Sequence, residues 1–319
     1  MIKLKINGKS VEAEEGLNLL EVIDEVDMQL YGKRSIPRLC YHEGLSSYSS
    51  CRLCVVEVKK NDKSKIETSC NYKIVSGLDV ETHTKRVVEN RKTSVELLLA
   101  KAPDSEVIKD LAFKLGVEKV DRYEHRNYSH LEDCIDCGLC ERVCDEVVGR
   151  SAISMAGRGV YKYVSTPYGE DCDDCIGCGI CSYICPTGAI SLEEKDGKRI
   201  IWGKEFDIIK EGKYKLTKEQ LEHIKNIKEG KESPFRIDIK EDLCKNCEMC
   251  VADCPQLLFS VAKEFNKKSF NPALWDKDKL DDQVGKLACA GCKVCYDVCP
   301  ESAIDIYTSK KNVRILKDE

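Results

Sequence analysis

The 319-residue chain contains no apolar run long enough to cross a membrane, which argues against direct membrane insertion. Its N-terminus, MIKLKINGKSVEA, alternates apolar and polar residues and lacks the apolar stretch of a secretion signal, so we expect a cytoplasmic protein. No G-x-G-x-x-G segment follows a predicted strand and no G-x-x-x-x-G-K-[ST] loop occurs, so neither common nucleotide-binding motif is visible. The formal net charge of −5 argues against nucleic acid as the main partner.

Cysteine, by contrast, is abundant, with 21 residues. Because structural disulfides are rare in the cytoplasm, this number of cysteines indicates bound metal. All but one of the cysteines fall into five groups of four, and Cys172, just upstream of the third group, is left over. The groups are Cys40, Cys51, Cys54 and Cys70; Cys134, Cys137, Cys140 and Cys144; Cys175, Cys178, Cys181 and Cys185; Cys244, Cys247, Cys250 and Cys254; and Cys289, Cys292, Cys295 and Cys299.

The second to fifth groups all follow the pattern C-x2-C-x2-C-x3-C, and proline follows three of them, with Asp145 in its place after the second group. Bacterial ferredoxins use this run for [4Fe–4S] clusters: three thiolates in a tight loop hold one cluster, and the fourth ligates the cluster of a paired run. Four runs make two pairs. The expected ligand sets are Cys134, Cys137 and Cys140 with Cys185; Cys175, Cys178 and Cys181 with Cys144; Cys244, Cys247 and Cys250 with Cys299; and Cys289, Cys292 and Cys295 with Cys254.

Zinc is the alternative metal for closely spaced cysteines, and a zinc-ribbon interaction module is the alternative from another functional class. A zinc ribbon uses two C-x2-C knuckles per ion, which does not explain three close cysteines followed by x3-C four times over. Gly138, Gly177, Gly179 and Gly291 also suit a backbone that bends sharply and points its amides at cluster sulfurs. We therefore favour iron–sulfur, and we interpret Cys172 as a thiol near a cluster, since using it as a ligand would shift the third run.

The first group has the spacing C-x10-C-x2-C-x15-C, whose first gap is wider than in plant-type ferredoxins. With IPRLCYHEGLSSYSSCRLCVVEV, ETSCN and VETHT around it, this segment resembles the [2Fe–2S] domain that opens the large peripheral subunit of respiratory complex I. The same module opens many [FeFe]-hydrogenases, NAD-linked formate dehydrogenases and the diaphorase parts of NAD-reducing hydrogenases. The resemblance implies that Cys40, Cys51, Cys54 and Cys70 ligate a [2Fe–2S] cluster. Ser49 stands where the family usually has glycine.

The residues around the first group predict a β-grasp domain. MIKLKING and KSVEAE read as alternating strands around an Asn7-Gly8 turn, and NLLEVIDEV has helical apolar spacing. The expected fold class is α+β, with a β-grasp [2Fe–2S] ferredoxin domain followed by two bacterial 2[4Fe–4S] ferredoxin-like domains. We expect the β-grasp domain over residues 1–85, a helical connector over 86–125, the first ferredoxin domain over 126–192, a charged linker over 193–235 and the second ferredoxin domain over 236–319.

The resemblance continues through KRVVENRKTSVELLLAKAP, a helix in the family, and through CIDCGLCERVCDEVVGRSAISMAGRGV, which resembles the family's first ferredoxin pair. Between these segments the family usually has a cluster held by one histidine and three cysteines, but APDSEVIKDLAFKLGV contains neither residue. The spacing of His130, Cys134 and Cys137 fits the start of such a run, yet the next ligand position is Val143. We therefore expect that cluster to be missing and interpret His130 and His125 as surface or structural residues.

Two further segments carry local predictions. EKDGKR predicts a hairpin turn at Asp196-Gly197, and TKEQLEHIKNIK predicts a short helix with Thr217 as its N-cap and Gln220 completing a capping box. The long gap between the last two groups must pack on a ferredoxin core or on a partner, because a ferredoxin core is small. It carries the aromatic residues Phe259, Phe265, Phe270 and Trp275.

The chain offers redox centres and no substrate site. The three additional cysteine motifs of an [FeFe]-hydrogenase active site are absent, and no room remains for a molybdopterin domain. We therefore expect one [2Fe–2S] and four [4Fe–4S] clusters in a subunit that is not an enzyme on its own. The expected partners are a flavin-containing subunit that oxidises or reduces NAD(P)H, a catalytic subunit such as a hydrogenase, formate dehydrogenase or tungsten/molybdenum enzyme, and a ferredoxin. A stand-alone polyferredoxin that shuttles electrons between enzymes is the alternative.

Overall fold

The computed structural model describes all 21 cysteines and most of the chain around them. The described residues are 1–60, 63–118, 120, 123, 125, 131–169, 172–207, 235–256, 258–276, 280–281, 285–286, 289–308 and 311–316. The predicted helix that begins after Thr217 lies outside them, as does His130. No helix in this described part of the chain is long and apolar enough to span a membrane.

The described residues form short strands and helices. The strands β1 to β17 are Ile2–Ile6, Lys9–Ala13, Val55–Lys60, Lys63–Thr68, Asp79–Glu81, Ser154–Ala156, Tyr163–Ser165, Leu192–Lys195, Lys198–Ile201, Lys204–Asp207, Phe235–Ile239, Phe259–Val261, Ala273–Trp275, Leu280–Asp281, Gly285–Lys286, Ile304–Thr308 and Val313–Ile315. The helices α1 to α7 are Leu19–Tyr31, Lys85–Lys101, Glu106–Lys114, Leu139–Val143, Ile180–Tyr183, Met249–Asp253 and Val294–Asp297.

A six-stranded mixed sheet dominates the N-terminal unit, residues 1–81, and has the strand order β17-β2-β1-β5-β3-β4. Strands β1 and β2 form the predicted hairpin, and Asn7 and Gly8 both adopt a positive φ, as a tight turn between twisted strands requires. Strand β5 pairs parallel with β1 and antiparallel with β3. The hairpin prediction is confirmed.

Helix α1 packs its apolar side on this sheet. The helix begins where the Asn18 side chain accepts a hydrogen bond from the Leu20 amide and ends at Gly32, whose φ is 66°. Leu20, Ile23 and Val26 are buried in the core beneath the sheet. The helix predicted from NLLEVIDEV is therefore confirmed.

Helices α2 and α3 connect the N-terminal unit to the first cysteine unit, residues 131–207. The Thr84 side chain caps α2 by accepting a hydrogen bond from the Val87 amide, and the helix predicted from KRVVENRKTSVELLLAKAP is confirmed. Val95 and Leu98 of α2 and Ile108 of α3 share an apolar core with residues of both units. His125 is exposed, with its Nδ1 2.9 Å from the Ala100 carbonyl oxygen.

The first cysteine unit combines α4 and α5 with the hairpin β6-β7 and the sheet β8-β9-β10. The hairpin predicted at Asp196-Gly197 is present between β8 and β9, and both turn residues have a positive φ. Strands β8 to β10 fall within the predicted charged linker, but Ile201 and Phe206 pack on the core of the first cysteine unit. The five-part division of the chain stays a prediction.

The second cysteine unit, residues 235–308, contains α6 and α7 beside the strand pairs β11-β16 and β12-β13. Of the aromatic residues between its two cysteine groups, Phe259 is buried and Trp275 is half-buried against the core of this same unit. Phe265 and Phe270 are exposed. The insertion therefore packs on its own unit through part of its length.

The chain returns to its beginning after the second cysteine unit. Strand β17 pairs antiparallel with β2, so residues near the end of the described chain form one edge of the N-terminal sheet. Val313 is buried in the core of that sheet, and Gln29 of α1 donates a hydrogen bond to its carbonyl oxygen. The second cysteine unit is thus joined to the N-terminal unit by a strand.

Candidate metal centres

The four C-x2-C-x2-C turns share one backbone conformation. In each turn the residue before the second cysteine and the residue after it adopt a positive φ: Asp136 and Gly138, Gly177 and Gly179, Asn246 and Glu248, and Gly291 and Lys293. Glycine takes this conformation freely, whereas side chains other than Asn and Asp rarely adopt it. The glycines at four of the positions were predicted to serve the bend. The same bend at the other four gives no glycine signal in the sequence.

The fourth cysteine of each run sits where the chain leaves a short helix. Proline follows this cysteine in three runs, and there α5, α6 and α7 end at or before it, because proline cannot continue a helix. In the first run Asp145 replaces proline, and the chain continues from α4 into a π-helical turn over Cys144–Val148. The Asp145 side chain accepts a hydrogen bond from the Ser151 hydroxyl at 2.6 Å.

The cysteines of the two runs in the first cysteine unit gather around two open cavities. A cavity of about 330 Å³ is lined by Cys134, Cys137 and Cys140 of one run together with Cys185 of the other. A second cavity of about 360 Å³ is lined by the complementary set. That set is Cys175, Cys178, Cys181 and Cys144. Both groupings are the crossed sets expected from the ferredoxin run.

The second cysteine unit repeats this exchange. An open cavity of about 430 Å³ is lined by Cys244, Cys247, Cys250 and Cys299. The remaining cysteine, Cys254, approaches the three close cysteines of the last run. Burial and the nearby Cys254 raise the pKa of Cys289 to about 11 and the pKa of Cys292 to about 12, and the pKa of Cys295 is raised by the same two effects.

The first group of cysteines forms two buried pairs. The Cys51 thiol donates a hydrogen bond to Cys40, which lowers the pKa of Cys40 to about 5 and raises the pKa of Cys51. Cys54 stands in the same relation to Cys70, whose pKa is lowered. Such pairs suit a [2Fe–2S] cluster, in which each of the two irons takes two thiolate ligands.

Ser49 lies beside one of these pairs and has the positive φ, 61°, that the usual glycine of the resembled family would adopt freely. Its hydroxyl oxygen is 3.3 Å from Cys70 Sγ. The serine therefore fits the loop geometry and places a hydroxyl where it can donate to a thiolate. Near the same cysteine, the Asn18 side chain donates a hydrogen bond to the Cys70 carbonyl, so the cap of α1 also fixes this loop.

Backbone amides point at several of the sulfurs. The fourth cysteines of three runs accept N–H bonds on Sγ: Cys144 from Ala152 at 3.3 Å, Cys254 from Leu258 at 3.4 Å and Cys299 from Ala303 at 3.3 Å. Such donors favour the thiolate that binds iron. Burial acts in the opposite direction on thiols without metal, raising the pKa of Cys137 and Cys144 to about 12. Metal binding must therefore displace protons from these sites.

The cysteines line cavities and do not converge on single points. None of the 21 cysteines, all within the described residues, is in a disulfide. In the same described part of the chain, no three Cys, His, Asp or Glu side chains are placed to hold one metal ion. A zinc ion draws its thiolates to about 2.3 Å from one centre, whereas a four-iron cluster needs room between its ligands. Cys172 is buried in the core of the first cysteine unit.

Arg142 joins the first group of cysteines to the second. Its buried guanidinium donates to the Cys40 carbonyl at 2.8 Å and to the Cys137 carbonyl at 3.2 Å, so one side chain holds a cysteine from each group. It also donates to the carbonyls of Ser46 and Gly138. No sequence motif marks this residue. The signal that the sequence offers is a single cation between Cys140 and Cys144.

Arg91 of α2 supports the N-terminal loop, residues 32–54, which joins α1 to β3 and carries Cys40, Cys51 and Cys54. Its guanidinium is buried and donates to the Leu53 carbonyl at 3.1 Å and to the Val55 carbonyl at 2.8 Å. These two carbonyls flank Cys54, so the helix fixes the backbone on both sides of a predicted iron ligand. Burial lowers the pKa of Arg91 to about 10, which leaves the side chain charged at neutral pH.

The loop that carries the first group of cysteines also contacts the loop that carries the last group. His42 lies two residues after Cys40, and its Nε2 is 3.4 Å from the carbonyl oxygen of Gly291 in the final run. The ring of Phe235 packs beside His42, with ring centroids 5.3 Å apart. A Cβ built on Gly44 or Gly291 would lie 2.7 or 2.4 Å from the Phe235 ring, so both glycines make room for it. The N-terminal loop thus contacts both cysteine units, which also share a core through Ala290 and Ile180.

Models of known protein families match three parts of the chain. A 2Fe-2S iron-sulfur cluster binding domain matches residues 1–85. A 4Fe-4S dicluster domain matches residues 133–189 and 174–258, and a second 4Fe-4S dicluster model matches residues 243–304. The chain therefore carries a 2Fe-2S domain followed by 4Fe-4S dicluster domains. One match joins the third and fourth cysteine groups, whereas the third group shares its cavities with the second.

Relatives with names extend the likeness. The chain is 29% identical over 188 residues to the NADH-ubiquinone oxidoreductase 75 kDa subunit of Reclinomonas americana, covering 52% of this chain and 26% of the relative. It is 27% identical over 224 residues to a subunit of the NADH-quinone oxidoreductase of Rickettsia felis, covering 63% of this chain and 32% of the relative. The chain resembles this subunit family. The predicted resemblance is confirmed, although the chain spans only about a quarter to a third of the length of these relatives.

Among solved structures, the chain is similar to one from the crystal structure of a NAD+-reducing [NiFe]-hydrogenase in the H2-reduced state. The two are 26% identical, and the likeness covers 59% of this chain and 85% of the other, with a TM-score of 0.48.

Proposed function

We propose that this chain is an iron–sulfur electron-transfer subunit that holds one [2Fe–2S] and four [4Fe–4S] clusters. The observation that carries the proposal is the exchange of cysteines between runs, in which each cavity receives three thiols from one run and the fourth from its partner. The proposed ligand sets are those of the sequence: Cys40, Cys51, Cys54 and Cys70 for [2Fe–2S]; Cys134, Cys137, Cys140 and Cys185; Cys175, Cys178, Cys181 and Cys144; Cys244, Cys247, Cys250 and Cys299; and Cys289, Cys292, Cys295 and Cys254.

We further propose that the N-terminal unit is a β-grasp domain and that each cysteine unit is a bacterial 2[4Fe–4S] ferredoxin-like domain, divided near the predicted boundaries. A mixed sheet with α1 packed across it supports the first assignment. The pairing of β17 with β2 adds residues 313–315 to the first of these domains. The strands of residues 192–207 extend the second domain into the charged segment.

The clusters, when bound, would carry single electrons. The residues of the chain would bury these clusters, orient them and polarise them. Buried arginines hold the loops together. Backbone amides donate hydrogen bonds to sulfurs, and such hydrogen bonds are one means by which proteins set cluster potentials. The N-terminal loop contacts one cysteine unit through Arg142 and the other through His42. We propose that a two-iron centre held by Cys40, Cys51, Cys54 and Cys70 would be placed to exchange single electrons with both units.

The proposed partners follow from what the chain lacks and what it resembles. A two-iron centre exchanges one electron at a time, so a flavin is needed to split the hydride of NAD(P)H into single electrons. The resembled relatives are named as subunits of NADH oxidoreductases. We propose a flavin-bearing, NAD(P)H-handling subunit at one end and a catalytic oxidoreductase subunit at the other, with no catalysis by this chain alone.

The test begins with the chain purified without oxygen. We expect about 18 iron atoms per chain, little zinc, and reduction by dithionite but not by NADH. Addition of the flavin subunit should restore reduction by NADH. Metal analysis that returned mainly zinc would overturn the cluster assignment, and NADH oxidation by the chain without flavin would overturn its role as an electron carrier.

A further inference from the structure

The two cavities of the first cysteine unit differ in charge. The cavity around Cys134 and Cys185 is lined by apolar residues, thiols, glycine and one threonine. The cavity around Cys144 and Cys175 is lined in addition by Arg150. An arginine remains protonated in proteins, so one of the two cavities has a permanent cation in its lining.

Arg150 is held in place by one hydrogen bond, while another of its nitrogen atoms has no acceptor in the described part of the chain. Its Nε donates to the Asp174 carbonyl at 2.8 Å, and the residue is only 6% exposed. Its Nη1 is buried and has no hydrogen-bond partner within the described residues. A buried N–H of a charged group without a partner is costly, so its position at the cavity wall calls for an acceptor inside the cavity.

The groups that face Arg150 are consistent with an anionic acceptor. The thiols of Cys144, Cys175 and Cys172 and the Asp174 carboxylate lie near its guanidinium. An iron–sulfur cluster with four thiolates is an anion with sulfur acceptors, so it fits the cavity, the unpaired N–H and the charge together.

We propose that Arg150 donates its unpartnered N–H to the cluster held by Cys144, Cys175, Cys178 and Cys181 and raises its reduction potential above that of the neighbouring cluster. Reduction adds one negative charge, which a buried cation stabilises. Among the described residues no cation lines the neighbouring cavity, and Lys101, which lies near its Cys134, is paired with Asp136. One electron moves from the site at Cys134 to the site at Cys144, so the first is oxidised and the second reduced, and no bond forms or breaks. At equilibrium, an electron that enters the first cysteine unit therefore occupies the Cys144 site preferentially.

This inference rests on the proposed function, because it requires that both clusters are present. The test is a redox titration of the whole holoprotein, monitored by electron paramagnetic resonance. It compares the natural chain with the variants Arg150→Gln and Arg150→Lys. The matched control is Arg158→Gln, which removes an exposed arginine of the same unit. Iron content and circular dichroism show whether each variant assembles.

In Arg150→Gln we expect the potential of one of the four four-iron signals to fall by about 59 mV, which is a tenfold change in its one-electron equilibrium. Arg150→Lys should keep part of the effect because it keeps the charge, and Arg158→Gln should leave all potentials unchanged. Unchanged potentials in an assembled Arg150→Gln protein would overturn the proposal. Loss of the cluster in both Arg150 variants would also overturn it, since the residue would then be structural. A natural chain without four-iron signals would refute the proposed function itself.

Discussion

The two cysteine units follow the same sequence pattern and form the same left-handed turns, yet they enclose their cysteines to different degrees. In the first unit Cys134, Cys137, Cys140 and Cys144 are all buried. The equivalent run of the second unit contains the exposed Cys247 and the half-buried Cys244. The motif therefore determines how the chain bends around a cluster, while packing by the rest of the molecule determines how well that cluster is shielded from solvent.

The source of this difference is the neighbouring structure. The first cysteine unit shares an apolar core with α2, α3 and the loop of the first cysteine group. Of its described residues, the second unit contributes only Ala290 and Cys292 to that shared core. It has a smaller core of its own and meets the N-terminal loop at Phe235 and Gly291. Local sequence carries no information about such contacts, because the groups that meet are far apart along the chain.

The strongest test of the likeness between the units is to remove a fourth cysteine from each. Cys185→Ala should abolish the cluster at Cys134, Cys137 and Cys140, and Cys299→Ala should abolish the cluster held by the other run of its unit. Each loss should remove about four iron atoms from about 18. Iron analysis and electron paramagnetic resonance measure it.

The matched control is Cys172→Ala, which should keep the full iron content. Loss of the cluster of Cys175, Cys178 and Cys181 in the Cys185→Ala protein would contradict the exchange between runs.

The difference in shielding predicts an order of cluster loss. On exposure to air with a chelator, the cluster at Cys247 should decay severalfold faster than those of the first unit, because thiolate oxidation follows exposure. Mössbauer spectra taken during the decay would count the surviving clusters, and resonance signals would identify them. Simultaneous loss from both units would show that global unfolding, and not local shielding, limits the decay.

The contact between Phe235 and Gly291 allows two contributions to stability to be separated. One is the packing of the Phe235 ring, and the other is the left-handed backbone conformation of the glycine. Gly291→Ala places a methyl group 2.4 Å from the Phe235 ring at a φ of +66°. We expect it to lose about 2–4 kcal/mol of stability, from the clash and the left-handed strain together.

Gly188→Ala in the first unit is the control, because Gly188 has a φ of +69° with no atom within 4 Å of the built Cβ. It should lose only the strain, about 1–2 kcal/mol. Anaerobic thermal unfolding of the two holoproteins gives the comparison, and equal losses would exclude Phe235 as an important contact.

The smallest expected effect concerns the first group of cysteines. Ser49→Gly relieves a left-handed φ and removes the hydroxyl 3.3 Å from Cys70 Sγ. Stability should change by less than about 1 kcal/mol, since the two effects oppose each other. The potential of the two-iron centre should fall slightly while the four-iron potentials stay constant. A rise in that potential would show that the hydroxyl does not donate to the thiolate.

The elements that the sequence predicts correctly are those in which a local pattern carries the information. The Asn7-Gly8 and Asp196-Gly197 hairpins and the helix beginning at Leu19 follow from turn chemistry and periodicity, and all three are present. The exchange of Cys144 and Cys185 followed from the ferredoxin run, and the cavities group these cysteines as expected.

What could not be predicted depends on contacts between distant residues. A single arginine within or just after a cysteine run has no signature, so Arg142 and Arg150 were missed, although both lie against predicted ligands. The return of the second unit to His42 needs Phe235 to fit between two glycines, and neither glycine is distinguishable in sequence from a turn residue.

The pairing of β17 with β2 has a consequence for how the protein is made. Residues up to 315 must be synthesised before Val313 can pair with Ala13 and Ile315 with Val11, so the β2 edge of the N-terminal sheet stays uncovered until then. Once β17 is in place, it covers the backbone groups through which β2 could otherwise pair with a strand of another chain.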